Sequence, residues 1–355
     1  MKKVSCYSSL ILAVLITLPV FSQPQKIEAL FYYYNSEASF ESLKKNADKV
    51  SILAPGGYSV DEDGIVWGSV DSRVLKLARK HNVKIMPLIV NPGFDQEMLH
   101  KLLTNDVARK RAIKSMVGEC QTHNYLGIQF DFENLNINDK ELFTQFYKET
   151  AEALHTAGFQ LSIAVVHRPE EYPGNTKYLK WLFKNWRAGY DLKALAEHGD
   201  FISVMTYSQH TRRTPPGPNA GVPWMTRNIE YFLQHVPPEK LSVGIPVASM
   251  HWYTAHDNER YHVNARSWSR SLSYSEAIGI VEQFDAEITW HEEQKVPYTF
   301  FENDGVFEYI FFEDARSFQH KFDLVQKYKL RGFSVWVAGV EDPKIWDILD
   351  EADLK

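Results

Sequence analysis

Gln129, Asp131 and Glu133 fall at every second position of an otherwise apolar run, Tyr125-Leu126-Gly127-Ile128-Gln129-Phe130-Asp131-Phe132-Glu133-Asn134. In an extended strand the side-chain period is two, so these three project from one face while Ile128, Phe130 and Phe132 project from the other. Burying two acids and an amide costs roughly 1–3 kcal/mol per unsatisfied polar group, and more for a charge, so some use must offset it. Adjacent carboxylates also raise each other's proton affinity. That favours a protonated Glu133 able to give its proton to a leaving group. Asp-x-Glu at a strand end has a plainer use too, as a cap for the following helix or a partner for a surface arginine.

The strand that carries the acids is one of eight. Strand-like apolar runs occupy 27–34, 50–54, 84–90, 127–132, 160–166, 201–205, 241–247 and 332–337. Helical patterns lie between most of them, at 69–80, 106–122, 140–157, 192–197, 226–235 and 317–328. Alternating βα units with nearly continuous apolar strands predict a parallel sheet covered on both faces. Eight units fit an α/β fold, the (β/α)8 TIM barrel, which takes about 250 residues and places its active site at the C-terminal ends of the strands. Asp131 and Glu133 stand at that end of the fourth strand. The excess length is expected as a small α+β insertion between the seventh and eighth strands, about residues 250–312, rich in Tyr, Phe, Trp and His.

The N-terminus reads as a removable address. Lys2 and Lys3 precede an apolar stretch from Leu10 to Phe21, and Val20-Phe21-Ser22 offers small residues for cleavage. A signal peptide is therefore expected over 1–22 and one catalytic barrel over 23–355, secreted or periplasmic, with no membrane-spanning segment after cleavage. Of the two cysteines, Cys6 falls inside the signal, leaving Cys120 without an intramolecular partner. Loss of Lys2 and Lys3 moves the formal net charge from −6 to −8. An acidic chain without a basic block does not suit nucleic acid. A monomer is expected, stabilised by a core drawn from 21 Phe, 18 Tyr and 9 Trp.

The chain resembles glycoside hydrolase family 18. The family's fourth-strand motif, Asp-Gly-x-Asp-x-Asp-x-Glu, corresponds here to Leu126-Gly127-Ile128-Gln129-Phe130-Asp131-Phe132-Glu133; the glycine, last aspartate and glutamate match, and Leu126 and Gln129 replace the first two aspartates. Met205-Thr206-Tyr207 is similar to its Met-x-Tyr element, with Ser208 where an acid usually follows. Pro215-Pro216-Gly217-Pro218, Val243-Gly244-Ile245-Pro246 and Gly332-Phe333-Ser334-Val335-Trp336 also look like the family, most closely its spore-cortex lytic branch. The serine-glycine-glycine element common on the third strand of chitinases is absent; Met86-Pro87-Leu88-Ile89-Val90-Asn91 stands there.

The resemblance implies a secreted, retaining glycosidase that needs no enzyme nucleophile, metal or other cofactor, acting on N-acetylglucosamine-containing β-glycans such as chitooligosaccharide or peptidoglycan. Glu133 would be the acid/base and Asp131 would orient the substrate acetamido group. Tyr207 would hold the acetamido carbonyl, and Trp336 would floor the sugar. Gln129, Met205 and Tyr33 are further substrate-binding candidates. Gln129 can hydrogen-bond but cannot take up a proton, so an altered pH profile is expected.

The remaining candidates carry structural readings of equal or greater weight. Tyr32, Tyr33 and Tyr34 end the first strand, where alternate residues face the mouth or the packing layer. Arg212 or Arg213 fits a substrate carboxylate, or a salt bridge with Glu170 or Glu171. His167, His210 and His251 follow separate strands without metal-ligand spacing, so no metal is assigned. Trp181, Trp186 and Trp224 suit sugar subsites or packing. The alternative function is a chitinase-like carbohydrate-binding protein of weak or absent turnover, against which the retained Glu133 speaks. Chitin, peptidoglycan and the N-glycan core all carry the required acetamido group.

Overall fold

Near-continuous apolar runs can be buried on both faces, and here eight of them close on themselves. The computed structural model describes residues 26–253 and 269–355; the expected signal peptide and part of the expected insertion lie outside the described residues. The barrel strands are Glu28–Tyr33, Ile52–Val60, a third in two pieces (Lys84–Ile85 and Leu88–Val90), Gly127–Asp131, Gln160–Val166, Phe201–Met205, Leu241–Pro246 and Gly332–Trp336. Every neighbouring pair is parallel, and the first strand pairs with both the second (Leu30 with Ile52) and the eighth (Glu28 with Gly332), which closes the barrel. The third strand breaks at Met86-Pro87 because Pro87 has no N–H to give the ladder; its carbonyl still accepts from Gln129 N at 3.0 Å.

Leu30, Tyr32, Ile52, Ala54, Met86, Leu88 and Phe201 fill the barrel. The opposite faces of the strands pack against the helices, where Phe130 and Phe132 meet Phe143, Phe146 and Tyr147 at ring separations of 5.4–6.3 Å. Gly127 is required where the fourth and fifth strands approach: a Cβ there would lie 1.9 Å from the Gln160 carbonyl oxygen.

The helices begin where side chains can satisfy their free N–H groups. Asp71 caps Ser72–His81, Asn105 caps Asp106–His123, Asp191 caps Leu192–His198 and Asp314 caps Ala315–Lys327. The helix expected at 226–235 is Val222–Phe232, shifted because Pro223 fits the first turn, where no N–H is needed. Five further helices are present among the described residues: Glu37–Asn46, Gln96–Thr104, Lys177–Leu182, Tyr274–Gln283 and Ile345–Asp350.

Between the seventh and eighth barrel strands stands an antiparallel sheet of Ser249–Trp252, Ser269–Leu272, Thr289–His291, Val296–Asn303 and Val306–Phe311. The helix Tyr274–Gln283 packs on it over Leu272, Ala277, Phe301, Ile310 and Phe312. Its central hairpin turns on Asp304-Gly305, both at positive φ, the pairing that a two-residue type I′ turn requires.

Candidate active site

Gln129, Asp131 and Glu133 leave the fourth strand on its inner face, as strand parity predicts. Gln129 is fully buried, its Nε2 donating to Ser162 Oγ at 3.0 Å, and Ser203 Oγ lies at 3.5 Å. This polar layer sits over the apolar barrel filling. Above it Asp131 is buried without a donor to its Oδ1, and Glu133 is half-buried at the mouth. Burial raises the proton affinity of both acids, and the Asp131 charge raises that of Glu133 further. Two acids so placed share protons as a pair.

The strand ends at Asp131 because the backbone then leaves the ladder and is caught by side chains. Phe132 O accepts from the Tyr190 hydroxyl at 2.7 Å. Asn91, at the end of the third strand, clamps Glu133: its Oδ1 accepts from Glu133 N at 3.0 Å, and its Nδ2 donates to Glu133 O at 2.9 Å. Gln96 Nε2 donates to Asn134 O at 2.8 Å, where Asn134 adopts a left-handed backbone. Glu133 is thus fixed through its main chain, while its carboxyl makes no side-chain hydrogen bond among the described residues. Asn91 and Gln96 were not singled out from the sequence; each reaches about forty residues along the chain, and no local pattern signals that.

Tyr207 and Trp336 complete the mouth. Their rings stack at 5.8 Å and 25°, and Trp336 also meets Tyr32 at 5.3 Å and Tyr34 at 5.4 Å. The Tyr207 hydroxyl is buried without a partner. Burial, the neighbouring Tyr32 phenol and the two carboxylates push its pKa well above the ordinary phenol value. Gly244 makes room for this ring: a Cβ there would come 2.9 Å from Tyr207 Cε1 and 2.7 Å from Val204 O. Ser208 turns the chain at φ 62°, and its N–H is taken by Asn219 Oδ1 at 2.8 Å. Met205 is buried on the same strand parity as Phe201 and Ser203.

The first strand requires a correction. Tyr33 does not face the mouth. It is buried with Phe31 and Ala29 in the layer beneath the helices, and its electrostatic neighbours are Asp71, Arg73 and Glu37. Pairing of Phe31 with Val335 sets the parity, which turns Tyr32 and Tyr34 toward Asp131 and Glu133 instead.

The other candidates separate. His167 accepts from Arg187 Nη2 at 2.9 Å and meets Trp224 edge-on at 4.8 Å; burial and the Arg187 charge lower its pKa to about 3. His251 pairs with buried Glu308 at 2.7 Å in the inserted sheet, and His210 Nδ1 lies 3.1 Å from Pro215 O. Among the described residues no group of His, Cys, Asp and Glu is placed to hold an ion. Arg212 and Arg213 form no salt bridge with Glu170 or Glu171; Arg168 meets Glu171 at 3.5 Å. Trp224 is packed, Trp186 meets Phe94, and Trp181 is open to solvent. Among the described residues no helix is long and apolar enough to cross a membrane.

The arrangement matches known proteins along nearly the whole chain. The model of glycosyl hydrolases family 18 matches residues 23–340. A cortical fragment-lytic enzyme of Bacillus subtilis is 26% identical over 325 residues, covering 89% of this chain and 71% of that one. The uncharacterized glycosylase YvbX of the same organism is 22% identical and covers 89% and 88%. Among solved structures, the spore cortex-lytic enzyme SleL of Bacillus megaterium superposes with a TM-score of 0.81 at 22% identity, covering 94% of this chain and 76% of that one. A chitinase from Chromobacterium violaceum gives 0.80 at 22% identity, covering 92% and 98%.

Proposed function

Because the chain belongs to family 18 of the glycosyl hydrolases and is therefore a glycosidase, we propose that it cleaves N-acetylglucosamine-containing β-glycans with the substrate's own acetamido group as nucleophile. The observation that carries this reading is the unfilled hydrogen-bonding capacity of the mouth. Asp131 Oδ1 and the Tyr207 hydroxyl are both buried and unpartnered, one an acceptor and the other a donor. An acetamido group presents the complement, an N–H and a carbonyl.

In the first step Glu133 gives its proton to the glycosidic oxygen as the C1–O bond breaks, and the acetamido carbonyl oxygen bonds to C1. Asp131 accepts from the acetamido N–H and stabilises the positive charge that develops on the closed ring. Tyr207 donates to the carbonyl oxygen and holds it in line, and Trp336 covers the apolar face of the sugar. Water then attacks C1, passes a proton to Glu133 and reopens the ring, so the anomeric configuration is retained.

Gln129 anchors this face through Ser162 but cannot hold the proton that an aspartate would share with Asp131. The catalytic barrel begins after cleavage of an export signal at Ser22. The test is incubation of purified protein with chitooligosaccharide, peptidoglycan and chitobiose-core N-glycan, with products read by mass spectrometry. New reducing ends that vanish in Glu133→Gln support the reading. Binding without new reducing ends identifies a carbohydrate-binding protein instead.

A further inference from the structure

Residues 177–187 read Lys-Tyr-Leu-Lys-Trp-Leu-Phe-Lys-Asn-Trp-Arg, four basic residues and no acid on a chain whose formal net charge is −6. They form the short helix Lys177–Leu182 and the turn Phe183–Arg187 on the loop after the fifth barrel strand, and neither piece has a buried residue. Spacing sorts the side chains. Lys177, Lys180 and Lys184 recur at intervals of three and four, which lines them up on one side of a helix. Tyr178, Trp181 and Leu182 recur in the same way on the adjoining side.

A surface helix ordinarily turns its apolar stripe to the core. Here that stripe meets water: Tyr178, Leu179 and Trp181 are 44%, 38% and 46% exposed, and the Tyr178 and Trp181 rings stack at 6.1 Å and 20°. Lys177, Lys180 and Lys184 are exposed beside them. None of the three forms an ion pair among the described residues, whereas Arg168 earlier on the same loop meets Glu171 at 3.5 Å. A neutral glycan would use the two rings but not the ammoniums, and a leucine offers no flat face to a pyranose. A bilayer with anionic headgroups takes all three kinds of group. Aromatic rings settle at headgroup level, aliphatic carbons reach the acyl boundary, and ammoniums meet phosphates. The segment is also tied to the catalytic end of the barrel. Asn185 Oδ1 accepts from Asn136 Nδ2 at 3.0 Å, on the loop that follows Glu133, and Trp186 meets Phe94 at 5.8 Å.

We propose that residues 177–184 are a membrane-docking surface that seats the protein on a lipid bilayer bearing anionic headgroups, on the same end of the barrel as the mouth. Among the described residues no helix is long and apolar enough to cross a membrane, so the attachment is peripheral, with the helix lying in the headgroup layer. The surface does not depend on the N-acetylglycan reading of the mouth.

Vesicle flotation of the purified protein tests this, with phosphatidylcholine alone and phosphatidylcholine mixed with an equal part of phosphatidylglycerol, at low and high salt. The expected result is binding to the mixed vesicles at least about tenfold stronger than to the neutral ones, weakening as salt rises. Lys177→Gln, Lys180→Gln and Lys184→Gln together should abolish the preference for anionic lipid. Tyr178→Ser with Trp181→Ser should weaken binding to the mixed vesicles by about tenfold. Both variants alter exposed side chains only, so their melting temperatures should match the wild type. Equal binding to the two kinds of vesicle, or no binding to either, overturns the membrane surface. Binding that survives either set of substitutions, as attachment through the apolar stretch from Leu10 to Phe21 would, overturns it too. Sedimentation with insoluble chitin or peptidoglycan that is lost with Tyr178 and Trp181, in a protein that ignores vesicles, also overturns it and assigns the face to a glycan.

Discussion

Glu313 and Asp131 are both buried acids, and burial raises the proton affinity of each, yet their surroundings differ atom by atom. One Glu313 oxygen takes the buried Lys321 ammonium and the Ser317 hydroxyl, the latter at 3.0 Å. Burial still outweighs these partners and leaves its pKa at about 7. Asp131 has neither cation nor hydroxyl; its charged neighbour is another acid, and its Oδ1 is left open. The first acid completes a structural contact between the inserted sheet and the helix Ala315–Lys327. The second holds a capacity that only a ligand can fill. Each acid keeps one buried oxygen without a partner, Glu313 Oε1 and Asp131 Oδ1, so neither burial nor an open oxygen alone distinguishes a structural carboxylate from one available for chemistry; the buried ammonium beside Glu313 does.

The contrast is broken most directly at Glu133. Glu133→Gln should lower turnover by about 10²–10⁴-fold, the range of a positioned proton donor, with the melting temperature unchanged or raised. Reducing-end release and a thermal melt read the two quantities. On the structural side, Lys321→Met removes the counter-ion of Glu313 and should cost about 3–5 kcal/mol of stability by denaturant titration, because an unpaired acid is left buried. Activity per folded molecule should persist. A stable Lys321→Met protein would show that Glu313 needs no partner and would remove the contrast.

Asn91→Ala tests whether the mouth is held through the main chain. It leaves the Glu133 N–H and carbonyl without their clamp, at about 1–3 kcal/mol, and should reduce kcat more than it raises KM. Equal activity in this variant would mean that Glu133 is positioned by other contacts.

The smallest effect is a matter of sign. Folded-state pKa values of Asp131 and Glu133 are raised, so the folded protein binds more protons than the unfolded chain above the ordinary carboxylate range near pH 4. Their contribution to stability is greatest below that range and is lost as pH rises toward neutrality. Asp131→Asn should thus raise stability at neutral pH by about 1–2 kcal/mol and flatten part of the pH dependence of melting. Glu313 contributes the same sign in both proteins. A melting temperature that rises with pH in the wild type and falls in the variant would contradict the account.

Much of this was legible in the sequence where period alone decides. The two faces of the fourth strand separate as alternation requires, and the eight apolar runs are the eight barrel strands. Three consecutive tyrosines carry no such information: which of them faces inward depends on the register of the first strand against the eighth, a long-range fact. The helix Glu37–Asn46, Glu-Ala-Ser-Phe-Glu-Ser-Leu-Lys-Lys-Asn, buries only Ser39 and Leu43, so its pattern is faint. Asp304-Gly305 was a readable hairpin turn that strand-like runs alone did not use. The Asn91 clamp on Glu133 is a property of tertiary contact and has no local signature.

The central claim is that the open groups on Asp131 and Tyr207 await an acetamido group that itself reacts. Its most direct test compares an N-acetylated chitooligosaccharide with the same oligosaccharide de-N-acetylated at the reacting sugar, following product anomers by NMR. The account predicts cleavage of the first with the β-anomer formed initially, and no cleavage of the second at that bond. Equal cleavage of both, or an inverted first product, would contradict it.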